Sequence, residues 1–376
     1  MIKKRIIHLK VNWWKIILFL FFAISLLHKF IANDIPIIGE TTSGYECLVC
    51  QDYLFDAGWI KVNPRTKKAA KIIQPIINRS PNQIDYSASL VAPFNGNHWL
   101  GTDSLGRDVL AGLIHGCWKA FLVGIFSIGL AFLIALLVGG VAGYWNGEEY
   151  EDSILGSLLK FFIFIIGVFY ITIEWNSGSY GISISLFILM WLMLYIVHKE
   201  LLNRGKKWKI SPARIMDRLI ELREVIPGIF LLLASLSLFS ETSIWNVVII
   251  IGFIAWSSMA RYIRAEIMNI KSQNYYKSAR AMGLNHFQLI KNHIMPNALD
   301  PIYATVAFAI SSAILLEASL SFLGIGVPPQ EVTWGAMLAE SQKSNAWWLA
   351  LFPGISIFLT IIAFHNLSNY WRKRHH

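Results

Sequence analysis

Cysteine is the first residue type in this chain whose spacing could support chemistry. Cys47 and Cys50 form one C-x-x-C pair, and Cys117 stands alone beside an apolar block, as expected of a packing residue. A structural zinc site needs a second such pair or two nearby His, and c-type haem attachment needs a His directly after the second Cys. The sequence supports neither site. Two alternatives stay open for the pair: a local disulfide, if the loop lies outside the membrane, and two free thiols.

The motifs of nucleotide-binding and hydrolytic enzymes are absent from the sequence. It contains no G-x-x-x-x-G-K-[ST] loop for phosphate and no H-E-x-x-H pair for zinc. Its ten His are scattered, and its Ser and Asp residues show no spacing that indicates a catalytic triad. We therefore expect no catalytic residue, no metal site and no cofactor bound by this chain.

The composition indicates an integral membrane protein. Of the 376 residues, 55% are hydrophobic and 15% are charged, whereas ordinary soluble domains have about 25% charged residues. The apolar residues come in blocks close to the roughly 20 residues that span a bilayer as a helix. The net charge of +10 comes from Lys and Arg between these blocks, as is typical of cytoplasmic loops. We therefore expect no nucleic acid partner.

Eight apolar blocks are long enough, or nearly long enough, to cross a membrane. The first lacks a small-residue cleavage site and is predicted to be an uncleaved helix instead of a signal peptide. The block at 222–239 is the weakest, because it carries Arg223 and Glu224 near its start and contains Pro227. The predicted spans are 13–31, 119–143, 154–174, 181–198, 222–239, 244–262, 303–323 and 347–367.

The distribution of Lys and Arg orients these spans. With the amino terminus inside, eight spans place the basic segments 199–218 and 263–302 inside, together with the carboxyl terminus. The same arrangement places 175–180 and 240–243, which carry no Lys or Arg, outside. One predicted inside loop, 144–153, is acidic, but acidic residues contribute little to this rule. We therefore expect a multi-pass protein with both termini in the cytoplasm.

A polar segment after the sixth predicted span has an unusual pattern. Residues 275–283 and 284–293 predict two short helices, with a break at Gly283 and a stop at Pro296. Ala279 lies four residues before Gly283, so the two are predicted to share a helix face. Their small size would let another surface approach the backbone closely. A solvated cytoplasmic loop is the alternative interpretation.

The same segment resembles the cytoplasmic coupling motif of ABC importer permeases, written E-A-A-x-x-x-G and followed further on by Ile and Pro. Ala279 and Gly283 keep the core pair, whereas Lys277 stands where Glu is usual and Ser278 where Ala is usual. The resemblance implies docking into a groove on an ATPase subunit. Because Lys277 replaces the usual Glu, the resemblance does not imply the salt bridge that this Glu would make. The residues assigned to this coupling segment are Tyr275, Lys277, Ser278, Ala279, Arg280, Gly283, Ile294 and Pro296.

Three further segments resemble one group within that family. Residues 101–108 look like the motif G-T-D-x-x-G-R-D, here called the GTD motif. Residues 317–337 and 347–354 look like later motifs of the same kind of subunit. With the coupling segment, these motifs resemble the dipeptide, oligopeptide and nickel permeases, specifically their second (C-type) subunit. The candidate residues of the GTD motif are Thr102, Asp103, Gly106, Arg107 and Asp108.

The resemblance covers residues 90–145 and 212–367, and the chain departs from it in three respects. Family members have six spans, so the blocks 154–174 and 181–198 are interpreted as an inserted pair, whose even number preserves the later topology. The tail 369–376 replaces the usual G-D-x-L-R-D sequence. The two charged residues at the start of the weakest span stand where the family is apolar.

Glu317 is the one acidic residue well inside a late predicted span. A carboxyl group at that depth is a functional candidate by default, so one interpretation is contact with the transported solute in the pore. The other interpretation, which we favour, is a structural hydrogen bond between helices. Ser311, Ser312 or a partner helix would supply the second group.

These observations predict the fold and its divisions. We expect an all-α integral membrane protein, a polytopic helical bundle like the type I ABC importer permeases, with six family spans and two inserted ones. The predicted divisions are a cytoplasmic segment with the first helix (1–31), an extracytoplasmic loop (32–118), the second span (119–145), the inserted helix pair (146–211), a permease core (212–368) containing the coupling segment (261–300), and a cytoplasmic tail (369–376).

The resemblance also implies partners and cargo. It implies a subunit of the prokaryotic cytoplasmic membrane that forms a translocation path for di- and oligopeptides, with a homologous second permease subunit, two ABC ATPase subunits and an extracytoplasmic solute-binding protein. The ATPases would use ATP and magnesium. Nickel or another small solute is the alternative cargo, although the late spans offer that metal only Glu317 and His365. A secondary transporter or a membrane-embedded enzyme lacks support from inverted repeats or clustered catalytic residues.

Overall fold

Long apolar helices make up most of the structure, a computed structural model. It describes residues 12–41, 44–60, 63–66, 70–95, 98–148, 150–153, 185, 187–193, 207–228, 230–231, 234, 243–328 and 331–374. The helices discussed below are α1 (Trp13–Ile31), α2 (Leu48–Asp56), α3 (Val109–Leu122), α4 (Ile128–Tyr144), α5 (Pro212–Val225), α6 (Ile244–Ser272), α7 (Asn274–Ala281), α8 (His286–Leu289), α9 (Met295–Phe322), α10 (Trp334–Lys343) and α11 (Trp347–Arg374). π-helical turns join α3 to α4 and α8 to α9.

Membrane-length helices coincide with five of the eight predicted spans. Within the described residues, the helices long and apolar enough to cross a membrane are Trp13–Ile31, Val109–Tyr144, Ile244–Ser272, Pro301–Phe322 and Trp347–Lys373. The predicted spans 154–174, 181–198 and 222–239 lie wholly or partly outside the described residues. The count of eight spans therefore stays a prediction.

The second membrane helix begins at Val109, and not at residue 119 as the sequence predicted. The predicted loop 32–118 is therefore too long at its carboxyl end. Asp108 supplies the reason, because its Oδ1 accepts a hydrogen bond of 2.9 Å from Ala111 N. This cap satisfies one of the free N–H groups of the first turn and allows the helix to begin before the strongly apolar run.

The loop between α1 and α3 contains a small antiparallel sheet. Its strands are β1 (Ile38–Thr41), β2 (Gly44–Cys47) and β3 (Ala70–Ile73), in the order β2-β1-β3. Helix α2 follows β2 directly, and a disulfide between Cys47 and Cys50 joins the end of the strand to the first turn of the helix. Of the two alternatives that the sequence left open, the structure has the disulfide.

A group of ion pairs around the buried Lys29 and Asp52 attaches this small sheet region to the end of α1. Lys29 Nζ lies 2.7 Å from Asp52 Oδ2 and 2.6 Å from Asp56 Oδ2. Arg65 Nε lies 3.3 Å from Asp52 Oδ1. Burial alone would raise the pKa of Asp52, but hydrogen bonds from Lys29 and Arg65 outweigh it and hold that pKa below its ordinary value. The carboxylate therefore stays charged, and the pairs hold α2 against α1.

A two-stranded ribbon brackets the insertion. Strands β4 (Tyr150–Ser153) and β5 (Lys207–Ile210) pair antiparallel, with Tyr150 opposite Ile210 and Ser153 opposite Lys207. Most of residues 154–206 lie outside the described part of the chain, but the ribbon brings their two ends together. A segment whose ends meet on one side crosses a membrane an even number of times or not at all. The ribbon therefore agrees with an inserted pair of helices.

Helix α4 packs along α6, and α9 packs along α11. Ala131 and Ala135 on α4 and Ala260 on α6 are fully buried, and such small side chains let membrane helices approach closely. Ile263 on α6 and Ile314 on α9 are also fully buried. Because α7 and α8 lie in the connection between α6 and α9, this packing holds the coupling segment at one end of the bundle.

Thiol labelling tests the predicted topology. Asn203→Cys and Lys373→Cys should be protected from a membrane-impermeant reagent added outside intact cells, whereas Asn82→Cys should react, because only the last lies in a predicted outside loop. The native protein gives a low background, since Cys47 and Cys50 form a disulfide and Cys117 is buried. Outside labelling at position 203 would contradict the inserted pair and return the family's count of six spans.

Candidate coupling surface and buried motif residues

Helix α7 contains the first half of the predicted coupling segment. It begins after Gln273, whose extended backbone separates it from α6. The side chains of Tyr276 and Ala279 face the protein core and are 3% and 1% exposed. Burial raises the pKa of the Tyr276 phenol, which therefore stays protonated at neutral pH. The other face of α7 is exposed, and of the predicted residues it carries Tyr275, Lys277, Ser278 and Arg280.

The prediction that Ala279 and Gly283 share a helix face is wrong. Helix α7 ends at Ala281, and Gly283 follows with φ of +81°, a left-handed conformation that glycine adopts at little cost. Ala279 packs against the chain's own core instead of an open surface. The predicted break at Gly283 is correct, but its physical basis is the turn that redirects the chain from α7 to α8.

The predicted stop at Pro296 is also wrong. Asn285 and Gln288 form a capping box at the start of α8, and the helix continues through a π-helical turn at Ile290–Ile294 into α9. Pro296 is the second residue of α9 and follows directly on the π-helical turn. Ile294 is buried and anchors the turn to the core. The second short helix is therefore joined directly to a membrane helix.

The loop after α4 holds the coupling segment in place. Tyr144 Oη lies 2.7 Å from His286 Nδ1, and Arg280 Nη2 lies 3.2 Å from Glu148 Oε1. Lys271 Nζ also donates to the carbonyl of Tyr144. Sequence reasoning missed these contacts, although the acidic residues of loop 144–153 were a signal. Glu148 belongs to the acidic loop 144–153, and its partner Arg280 belongs to the basic coupling segment. The acidic loop therefore lies at the same end of the bundle as the coupling segment.

Two large apolar side chains project from this end of the bundle. Met282 is 74% exposed and Phe287 is 70% exposed. They belong to α7–α8 and not to a membrane-length helix. Together with Tyr275, Lys277, Ser278 and Gly283 they form what is here called the coupling surface. Exposed apolar groups rimmed by polar ones are typical of a protein-binding site, and Met adapts well to a partner's shape.

The GTD motif forms a tight turn before α3. Asp103 Oδ1 accepts hydrogen bonds from Leu105 N at 2.9 Å and Arg107 N at 2.8 Å, and its Oδ2 pairs with Arg107 Nε at 2.6 Å. The Thr102 hydroxyl is buried and accepts from the backbone N–H of Val91 at 2.8 Å. Asp103 and Arg107 therefore hold this turn together.

The same turn connects distant helices. Asp108 caps α3 through one oxygen and contacts His98 Nδ1 at 2.8 Å and Arg79 Nη1 at 3.4 Å through the other. Trp348, at the start of α11, donates a hydrogen bond of 3.0 Å to the carbonyl of Thr102. Two of the segments that carry the resemblance thus touch each other directly, and their role in this chain is architectural.

Glu317 is fully enclosed and structurally bonded. Its side chain is 2% exposed, and Ser321 Oγ donates to its Oε1 at 2.7 Å. Thr333 Oγ1 accepts a hydrogen bond from Ala336 N and caps α10. The carboxyl group is therefore bonded within its own helix α9, and not between helices to Ser311 or Ser312 as predicted. Ser311 and Ser312 donate instead to the carbonyl of Phe308 in their own helix.

A neutral substitution at this position should be tolerated. Glu317→Gln keeps the shape and can still accept the hydrogen bond from Ser321, so we expect membrane level and solute uptake close to those of the native protein. Glu317→Ala leaves the buried Ser321 hydroxyl group without this partner and should cost about 1–3 kcal/mol in stability. The measurement is the melting temperature in detergent with uptake alongside. A large loss of uptake in a stable Glu317→Gln variant would favour contact with the solute.

The charged residues at the start of the weakest predicted span have partners on α6. Glu224 forms an ion pair with Arg261, and Arg223 donates to the carbonyl of Ile254. About two turns earlier in α5, Asp217 forms two contacts with Arg264, at 2.6 and 2.8 Å. These contacts explain how charge is accommodated where the family is apolar. Helix α5 ends at Val225, directly before Ile226 and Pro227.

A groove runs between α6 and α9 and widens where it meets α11. Its inner part, here called the apolar groove, has a volume of about 290 Å³ and is lined by residues such as Ile251, Met259 and Leu316. Its outer part, here called the polar cleft, has a volume of about 640 Å³. Tyr262 and Phe308 line both parts, so the two are continuous.

Comparison with known proteins identifies the domain and relatives of this chain. Residues 205–374 match the family described as "Binding-protein-dependent transport system inner membrane component". The glutathione transport system permease protein GsiD of Pectobacterium atrosepticum is 28% identical, over 77% of this chain and 75% of that protein. The dipeptide transport system permease protein DppC of Bacillus subtilis is 25% identical, over 74% of this chain and 68% of that protein. A solved structure of the MetNI methionine ABC transporter in an inward-facing conformation is 12% identical, with a TM-score of 0.42 over 69% of this chain and 96% of that chain.

The matched domain contains three of the four segments that carried the sequence resemblance, and the relatives align over most of the chain. The expected bundle of membrane helices is confirmed, with the small sheets as additions to it. The resemblance drawn from the motifs is likewise confirmed: residues 205–374 match the inner membrane components of binding-protein-dependent transport systems, and the chain is similar to permease proteins of glutathione and dipeptide transport systems.

Proposed function

We propose that this permease forms half of the translocation path of an ATP-driven importer for short peptides. The observation that carries the proposal is the coupling surface, a polar-rimmed pair of exposed apolar side chains held rigidly at one end of the bundle. Met282 and Phe287 would enter a groove of an ATPase subunit that supplies the ATP and magnesium chemistry. No nucleotide-binding loop occurs in this chain, so the motor must lie on separate chains.

The packing of the coupling segment supports force transmission. Tyr276 and Ala279 fix α7 to the core, and α8 continues into the membrane helix α9. Movement of an ATPase would therefore move α9 as well as the two short helices. Alternating access then follows from rocking of this permease against a homologous second permease, with a solute-binding protein delivering cargo outside. Two ATPases would lie at the cytoplasmic face of a prokaryotic cytoplasmic membrane.

The groove between α6 and α9 is the part of this chain suited to face the second permease. It combines apolar walls with a polar mouth, as a path for amphipathic solutes requires. The relatives named for glutathione and dipeptide transport support short peptides as the cargo. With both chain termini inside, as the basic loops indicate, the polar cleft beside the end of α11 opens to the cytoplasm.

Uptake in cells tests the proposal. Deletion of this gene should abolish ATP-dependent accumulation of labelled di- and oligopeptides, and affinity purification of the chain should recover an ATPase in the same complex. A deletion strain carrying the native gene on a plasmid is the control. Unchanged peptide uptake with lost nickel accumulation would assign nickel as the cargo. Purification without any ATPase would contradict an ATP-driven mechanism.

A further inference from the structure

The polar cleft has a regular construction that coupling to an ATPase does not explain. On each of its three helices the lining residues lie on one face, and the last is seven positions beyond the first. They run from Tyr262 to Asn269 on α6, from Pro301 to Phe308 on α9 and from His365 to Arg372 on α11. The cleft therefore faces one continuous stripe of each helix, and its volume of about 640 Å³ is in the range of small-molecule sites.

The length of the stripes sets the size of a matching ligand. Seven positions of α-helix rise about 10 Å. An extended peptide advances roughly 3.3–3.6 Å per residue, so about three residues cover the same distance. The cleft thus matches a dipeptide or tripeptide in length.

The charges of the cleft suit the two ends of such a peptide. Glu266 on α6 is partly buried and makes no ion pair within the described residues. Arg372 on α11 is exposed, and its Nη2 donates a hydrogen bond of 2.8 Å to Asn369 Oδ1, which orients the guanidinium group beside the cleft. A carboxylate can bind an ammonium group, and a guanidinium group can bind a carboxylate through two hydrogen bonds.

The adjoining apolar groove offers a place for an apolar side chain of the peptide, which the charged groups of the cleft do not bind. It shares Tyr262, Thr305 and Phe308 with the polar cleft and continues between α6 and α9 for a further volume of about 290 Å³. A peptide held by its termini in the cleft could place an apolar side chain there without exposing it to water. The site would then recognise the common backbone charges and tolerate varied side chains.

We propose that the polar cleft is a binding site for short zwitterionic peptides, in which Glu266 binds the amino terminus and Arg372 binds the carboxylate. The proposal rests on the proposed function, because it identifies where the cargo is held before release. Neither residue belongs to a motif that carried the family resemblance, and Arg372 lies in the tail that departs from the family sequence.

Protection of a thiol in the cleft tests the proposal. Ser368→Cys lines the cleft, and the native cysteines are in a disulfide or buried. The complete chain with its partners is labelled in inverted membranes, where the cytoplasmic face is accessible, with and without alanyl-alanine. At a peptide concentration about three times Kd, one-site binding leaves about a quarter of the sites free, so labelling should slow about fourfold. Alanyl-alanine with both termini blocked should not protect.

Matched variants decide what the protection means. Ser272→Cys, exposed at the end of α6 but outside the cleft, should label at the same rate with and without peptide. Glu266→Gln and Arg372→Gln, each added to Ser368→Cys, should remove the protection. Equal protection by the blocked peptide, or protection that survives both substitutions, overturns the proposal. A further pair of results is that peptide protects Ser368→Cys while deletion of the gene leaves peptide uptake unchanged. That pair of results would support the binding site and contradict only the proposed function.

Discussion

Gly283→Trp should abolish ATP-dependent uptake while the protein remains inserted in the membrane. Among the described residues other than its chain neighbours, no group lies within 4 Å of a Cβ built at Gly283, so the new side chain starts in open space. It would project from the turn between Met282 and Phe287 and hold an ATPase surface away from both. We expect uptake to fall at least about tenfold, equivalent to a loss of roughly 1.4 kcal/mol or more in the coupled interaction. Labelled uptake and the amount of co-purified ATPase measure the effect.

Gly283→Ala is the matched control for this substitution. Both variants place a side chain on a residue with φ of +81°, which costs roughly 1–2 kcal/mol in each. Only Trp adds bulk to the coupling surface. We expect the Ala variant to keep most of its uptake and its ATPase. Equal uptake in the two variants would show that no partner approaches this surface, and the segment would then be a solvated loop.

The sequence predicted the positions of the chemically distinctive segments better than the roles of their residues. Gly283 was predicted as a break and is one, because a left-handed turn strongly favours glycine. Ala279 was predicted to face a partner, but it faces the core of its own chain. Spacing along a helix shows which residues share a face. It does not show what that face meets, because this depends on the packing of α6 and α9.

Long-range contacts account for most of what sequence reasoning missed. His286 pairs with Tyr144, and Arg280 pairs with Glu148, across more than a hundred residues in each case. Local propensity contains no information on such pairs. The acidic loop was a partial signal, since an exception to the charge rule beside a basic segment suggests pairing between the two. The start of α3 was missed for a different reason, because the cap at Asp108 acts locally and outweighed hydropathy.

Gly106→Ala should destabilise the protein far more than its small change in volume suggests. Gly106 has φ of +76°, and a Cβ at this position would overlap the carbonyl group of Asp85. The backbone of Gly106 and that of Asp85 cannot move apart without breaking the turn in which Asp103 holds Arg107. That turn caps α3 and carries the carbonyl that Trp348 bonds, so its loss would loosen two membrane helices at once.

The matched control is Gly58→Ala, because Gly58 has nearly the same backbone conformation, with φ of +75°, and open space around it. Backbone strain alone costs roughly 1–2 kcal/mol and should appear in both variants. Steric overlap and loss of the turn should add about 3 kcal/mol or more in Gly106→Ala alone, as expected for disruption of a buried, hydrogen-bonded site. Melting temperature of the purified protein in detergent measures the difference. Equal melting temperatures in the two variants would show that the GTD turn can relax away from Asp85, and its packing would then not determine how α3 and α11 are held together.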